Sequence, residues 1–443
     1  MRLAARSLVL GSVMLGWLAV VASVPWARAE AGAKEKPTKP AEAAKPVGDP
    51  AGDAAPPDAD AAKPADGPSK GEAAKGPQAK RPRLSPAAAA LRDRVRRTLD
   101  HYFHQQVNTG ENTPAEVLAF SLAFGCDAEV RYTNAAGNPM NAIGCLCYGY
   151  SCAGYELLVA GDDQRVMARV GYGLQEQPAQ MLAVLAQSGV PVSYEVRSGK
   201  FRGSVADLVE SEKTTCRPGG PLAHKLIGLA FYVRNDETWK DAAGQTWSVD
   251  RLVQEELARP PANDGADVTD QLMGLSFALE RRHRAARPIE GAFAQAQKYV
   301  ADFHQHAFRL QNPDGSWHPQ FFAFQGTGRD ASEKLRATGR ILEWLVSSLS
   351  DDRLDDPKLL KSVTCVTGLL ADSYSGWNAT ASTPREIASV GHALHALRVY
   401  DQRVFRPSDP AEPPASPKPA SNPKPASNPA SVSRSVDRLP DTR

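Results

Sequence analysis

The sequence predicts a mainly α protein, an array of helix pairs with a small β-hairpin insert between two disordered ends. Three observations carry this. Apolar residues recur at helical spacing within residues 86–406, as in Leu335, Ile341, Leu342, Leu345 and Leu349, and again in Ile387, Val390, Leu394 and Leu397. Helix-start signals precede such stripes: Thr113-Pro114-Ala115-Glu116 and Thr383-Pro384-Arg385-Glu386 are capping boxes with Pro at the first helical position. Between Gly137 and Val170 the period shortens toward that of strands.

The chain opens with an export signal over residues 1–29. Arg2 and Arg6 form a basic start, Leu8 to Trp26 is apolar, and Ala27-Arg28-Ala29 is a small-x-small cleavage site. The apolar run also approaches bilayer-spanning length, so an uncleaved anchor is the competing reading and the one route to a membrane. Residues 30–85 form an Ala/Pro/Lys linker in which Val47 is the only branched aliphatic residue before Leu84. Such a segment buries too little apolar surface to offset its ordering entropy. The tail, residues 407–443, repeats Pro-Lys-Pro-Ala-Ser-Asn at Pro417–Asn422 and Pro423–Asn428 and is expected to be disordered for the same reason.

The remaining domain, residues 86–406, should hold about ten helices. They are expected near 87–108, 114–125, 176–188, 204–215, 221–235, 248–258, 266–283, 289–310, 330–349, 357–371 and 384–401. Ser204 and Ser248 are suited as N-caps, and Asp356-Pro357 opens a helix. The β insert should span about 140–201. Ala142–Tyr148 and Tyr155–Val159 read as strands. Gly161-Asp162-Asp163 reads as a turn before Arg165–Val170, and Val190–Phe201 reads as a second hairpin with Ser198-Gly199 at its tip.

A turn recurs along the chain. Gly244 precedes Trp247, Gly315 precedes Trp317 and Gly376 precedes Trp377, with about two helices per interval. Helix pairs stack in this way because neither member buries its apolar face alone.

Gln311-Asn312-Pro313-Asp314-Gly315-Ser316-Trp317 resembles the Gln-x(3)-Gly-x-Trp turn of the α/α-toroid superfamily, which includes terpenoid cyclases and protein prenyltransferases. The resemblance implies an α/α-toroid-like fold and a bracing, non-catalytic role for Gln311, Gly315 and Trp317. Stretches such as Gly171–Pro178, Glu210–Cys216, Leu226–Ala230, Thr238–Asp241, Ile341–Trp344 and Gly391–Leu397 are similar to an uncharacterised exported family of planctomycete-type bacterial proteins. That resemblance implies export and brings no activity with it. The chain departs from the toroid enzymes: it has neither the Asp-x-Asp-Asp of proton-initiated cyclases nor the Asp-x-Cys of zinc prenyltransferases.

Charge excludes other classes. Lys+Arg 52 against Asp+Glu 50 gives a net +2, with no general pull toward nucleic acid. No Gly-rich phosphate loop appears, and no motif calls for a cofactor or a metal. Cys145, Cys147 and Cys152 with Cys126 could hold zinc, but an exported chain favours disulfides. The first expected pair is Cys147–Cys152, the second Cys126–Cys145. Cys216, with His224 nearby, is either a nucleophile or a core thiol. His392 and His395 lie i, i+3 on one helix and can face the same way; a third ligand such as His318 would be needed for a metal. Glu343 beside Trp344, Glu210 with Glu212, and Asp264 with Asp267 and Asp270 are the remaining acid–base candidates, Glu343 foremost, and Tyr148, Tyr150, Tyr155 and Tyr172 could stack on sugars. The sequence reading favours an exported envelope protein that binds a polysaccharide or a protein partner through its cavity without catalysis. An extracytoplasmic carbohydrate-active lyase or hydrolase is the alternative, and a terpenoid-cyclase-like protein is the weaker one.

Overall fold

The computed structural model describes residues 85–161, 165–234, 236–260, 265–328, 330–373 and 384–405. The expected export signal, most of the linker, the tail, Asp162 and Asp163, the Gly376–Trp377 turn and the cap Thr383 lie outside the described residues.

Twelve α-helices are found among the described residues: α1 (Pro86–Phe103), α2 (Pro114–Phe124), α3 (Ala142–Cys147), α4 (Gln180–Gln187), α5 (Val205–Thr214), α6 (Ala223–Tyr232), α7 (Val249–Ala258), α8 (Gly265–Arg284), α9 (Gly291–Leu310), α10 (Ala331–Ser348), α11 (Pro357–Ser373) and α12 (Pro384–Tyr400). Their starts follow from local chemistry. The Thr113 and Glu116 side chains satisfy each other's backbone N–H groups at the start of α2. Ser204 and Ser248 cap α5 and α7, and Asp356 Oδ1 accepts the Lys358 N–H at 2.9 Å to open α11.

The strands form four antiparallel hairpins: β1 (Glu129–Arg131) with β2 (Pro139–Asn141), β3 (Leu158–Ala160) with β4 (Val166–Ala168), β5 (Glu195–Ser198) with β6 (Phe201–Ser204), and β7 (Trp239–Lys240) with β8 (Thr246–Trp247). The second and third fall where the period suggested strands. The first and last were not expected.

One expected strand is a helix. Residues Ala142–Cys147 form α3, started by Asn141, whose Oδ1 accepts the Gly144 N–H at 2.9 Å. All six residues are buried. A segment apolar on every side has no exposed face to reveal its period, and its small residues tolerate either form.

The six even-numbered helices follow a cycle of contacts: α2 packs on α4, α4 on α6, α6 on α8, α8 on α10, α10 on α12, and α12 returns to α2. Glycines sit at four of these contacts. A methyl on Gly391 would lie 2.9 Å from Ala119 Cβ, one on Gly339 3.0 Å from Ala393 Cβ, one on Gly228 2.7 Å from Leu182 Cγ, and one on Gly274 2.9 Å from the Ala223 carbonyl oxygen. Their role is close helix approach, which lets buried backbones touch. The remaining helices pack against this set, with α7 on α9 and α1 on α11.

The Gln311–Trp317 turn ties α9 to α11. Gln311 Nε2 donates to the Lys358 carbonyl at 2.9 Å and to Ser362 Oγ at 2.6 Å. Trp317 is fully buried and its Nε1–H donates to the Ala307 carbonyl at 2.8 Å. Gly315 has φ +88°, and a Cβ there would lie 2.4 Å from the Lys361 carbonyl carbon. Trp247 is equally buried but serves its own hairpin, donating from Nε1 to Asp241 Oδ2 at 2.8 Å.

Candidate functional site

Three of the acid–base candidates meet. Glu343 lies on α10 with its carboxylate almost wholly buried. Its Oε2 receives His392 Nδ1 at 2.6 Å and its Oε1 receives His395 Nδ1 at 2.6 Å, both from α12. The i, i+3 spacing of the two histidines sets them side by side on one helix face, so one carboxylate serves both.

Burial alone would raise the pKa of Glu343. The charge and hydrogen bonds of His392, followed by those of His395, overcome this and hold the carboxyl far below the usual range. An ionised carboxylate only accepts, so each Nδ1 must carry a proton. In a neutral ring that leaves Nε2 as the basic nitrogen.

His392 and Glu343 line a cleft between helices of the contact cycle, together with Leu122, Gln180, His224, Asp270 and Arg340. Across it from α8, Asp270 Oδ1 accepts from Arg340 Nη1 at 2.7 Å. His224 is the second residue of α6. Burial lowers its pKa, with Asp270 opposing and Arg340 reinforcing the shift. The cleft continues past His392 and Gln180 to Leu174 and Glu176, where Glu176 is exposed and Tyr172, two residues before Leu174, is 75% exposed. Ala115, Gln180 and His224, which line this space, all belong to the first turns of their helices.

Glu210 is elsewhere. It is exposed on α5 and bonded to Lys213 Nζ at 2.7 Å. His318 packs its ring on Phe324 with centroids 4.1 Å apart and does not join the two histidines. No group of three or more His, Cys, Asp or Glu side chains disposed to hold a metal occurs among the described residues. Cys216 is buried, its Sγ–H reaching the Glu212 carbonyl at 3.5 Å, and burial pushes its thiol up to about 11. It is a core thiol and not a poised nucleophile. His224, read as its neighbouring base, faces the cleft instead.

All six cysteines are free thiols. The expected Cys147–Cys152 and Cys126–Cys145 pairings are not formed. Cys152 Sγ lies 3.7 Å from Cys145 Sγ, while Cys126 Sγ–H points to the Ser188 carbonyl at 3.3 Å. The reason is α3: residues i and i+2 share a face in a strand but point apart on a helix, which turns Cys147 away from Cys145 and its partner.

Sequence reasoning missed Arg340 as a cleft residue, and it named Asp270 only as an acid–base candidate beside Asp264 and Asp267, not as a partner of Arg340. One signal was present: Arg340 and Glu343 are charged residues i, i+3 within an otherwise buried helical stretch, Ala337–Val346. No helix among the described residues is long and apolar enough to cross a membrane. No protein-family description, curated protein or solved structure matches this chain.

Proposed function

We propose that this chain is an exported envelope protein of α/α-toroid build, allied to the planctomycete-type exported family. Its cleft is an acid–base catalytic site acting on an acidic polysaccharide, with His392 as the proton-transferring residue. The cycle of helix contacts from α2 through α12 and back supports the toroid, as does the Gln311–Trp317 brace. The leader-like residues 1–29 support export.

One observation carries the catalytic reading. The His392 ring lines the cleft and is nine-tenths buried; its Nδ1 is fixed by an ionised carboxylate, and Nε2 has no protein partner among the described residues. A carboxylate behind an imidazole sets its tautomer and the orientation of its ring, and charged groups gathered in a buried cleft make it a candidate functional site. Glu343 is then a positioning residue.

Elimination suits this site better than hydrolysis. Two-carboxylate hydrolysis needs one carboxyl held protonated near neutral pH. Glu343 is held ionised, and Asp270 is bound to Arg340. In an elimination, His392 Nε2 takes the proton beside a substrate carboxylate. The C–H electron pair forms the new double bond, and the glycosidic C–O bond breaks toward oxygen, which is then protonated. Arg340 and His224 line the cleft as hydrogen-bond donors that favour the anionic intermediate. Tyr172, exposed two residues before the cleft-lining Leu174, offers a stacking surface.

The test is incubation of the full chain with uronate-containing polysaccharides, following the ultraviolet absorbance of the new double bond and the release of reducing ends. Turnover is expected, and His392→Gln should lower it by about 10²-fold or more, the usual size of a lost general base. Unchanged turnover in that variant would overturn the assignment; reducing ends without the new chromophore would indicate hydrolysis.

A second reading rests on size. The inner cleft measures about 30 Å³, room for roughly two waters and less than a sugar ring needs. In a non-catalytic binding protein the Glu343 cluster would instead latch α10 to α12. Binding of the same polysaccharides without turnover would favour it.

A further inference from the structure

We infer that Cys145 and Cys152 are the pair this chain oxidises to a disulfide, with Cys147 left as a thiol. Both are buried, at 1% and 0% exposure, and their sulfurs lie 3.7 Å apart. A disulfide needs about 2.05 Å, so closure requires a side-chain shift of roughly 1.7 Å.

The backbone already supplies the reversal. The Tyr150 N–H donates to the Cys145 carbonyl at 3.2 Å and the Gly149 N–H to the Leu146 carbonyl at 3.3 Å, folding the chain back after α3. Gly149 takes φ +68° at that bend, where a side chain would be strained. Cys152 is then held by its reciprocal bonds with Tyr155, at 2.8 and 2.9 Å. Cys147 projects from the other side of α3 and is fully buried there, and burial, with Cys126 adding to it, pushes its thiol up to about 12. The pairing is independent of the proposed activity.

The oxidant is a low-molecular-weight disulfide such as oxidised glutathione. One cysteine thiolate attacks it, forming a mixed disulfide and releasing one glutathione thiolate. The second cysteine thiolate attacks the protein sulfur of that mixed disulfide and releases the other. Two S–H bonds are lost and one S–S bond is made; the two electrons reduce the glutathione disulfide, and the two protons end on its thiols. Because both sulfurs are buried in the folded chain, the exchange takes place during folding, before the loop closes over them.

The test is refolding of the full chain in a glutathione redox buffer, alkylation of free thiols, and non-reducing peptide mapping. Chymotryptic cleavage at both Leu146 and Tyr148 puts Cys145, Cys147 and Cys152 on separate peptides unless they are bonded. The expected map has one Cys145–Cys152 link and alkylated Cys126, Cys147, Cys216 and Cys365. The whole protein should be lighter by two hydrogens, a loss retained in Cys147→Ser and abolished in Cys145→Ser and Cys152→Ser. A link through Cys147, or six alkylated cysteines in the oxidising buffer, would overturn the inference. The wild-type map decides even where a variant fails to fold.

Discussion

Replacing Glu343 by Gln tests the centre of the cleft without changing its volume. In the wild type one buried carboxylate receives two short hydrogen bonds, both at 2.6 Å. Bonds to a charged group contribute about 1.5–3 kcal/mol each, so the two together hold about 3–6 kcal/mol. The glutamine side chain brings one carbonyl oxygen and an NH2 that only donates. One histidine keeps a neutral bond worth about 1 kcal/mol, while the other Nδ1–H faces a donor until its ring changes tautomer. The expected loss is about 2–5 kcal/mol. At roughly 2 °C per kcal/mol for a domain of this size, a central value of about 3 kcal/mol lowers the melting temperature by about 6 °C. Calorimetry at pH 7 reads this directly. The carboxyl is depressed in the folded state, so its contribution is complete above the ordinary Glu pKa of about 4.3 and fades as pH falls below it. A double-mutant cycle with His395→Gln should give a coupling above about 0.5 kcal/mol. If Glu343→Gln melts within about 0.5 kcal/mol of the wild type, the two bonds do not hold α10 to α12 and the positioning role fails with them.

Other outcomes follow from the same geometry. His304 stacks on Trp344 with centroids 4.7 Å apart, and burial, with Arg353 adding to it, lowers its pKa to about 4. The folded state therefore holds it neutral while the unfolded chain protonates near pH 6.5. Stability should fall by up to about 3 kcal/mol between pH 6.5 and 4, and His304→Phe should flatten that part of a pH-dependent denaturation series. Gly315→Ala places a methyl against Lys361 at positive φ and should cost about 2 kcal/mol or more, seen as a lower urea midpoint; a neutral result would remove the brace from the Gln311 turn. When the full chain is produced in an exporting bacterium, intact mass spectrometry should find a mature form beginning at Glu30; retention of residues 1–29 would support the membrane-anchor reading.

Much of this was legible in local spacing. Helix starts were written in Thr113–Glu116, Ser204, Ser248 and Asp356-Pro357, because capping acts within a few residues. The convergence of His392 and His395 was readable for the same reason, since one helix sets their relation. Their partner was harder. Glu343 stood out by its neighbour Trp344, whereas Glu210 looked equivalent and proved to be a surface ion pair. Arg340 and Asp270 are 70 residues apart in sequence, and no local rule joins them. The segment Ala142–Cys147 misled because burial on all sides removes the amphipathic signal.

The contact between α2 and α12 has a consequence for how the site comes into being. The first of these helices ends at Phe124 and the second begins at Pro384, so the seam joins segments far apart along the chain. Contacts so distant along the chain form late in folding. Until the final segment has emerged and docked, Glu343 has neither of its imidazole partners, and a product truncated before Pro384 keeps a solitary carboxylate where the interior should close. An incomplete nascent copy thus lacks the histidine pair altogether, and only the last helix completes the cluster.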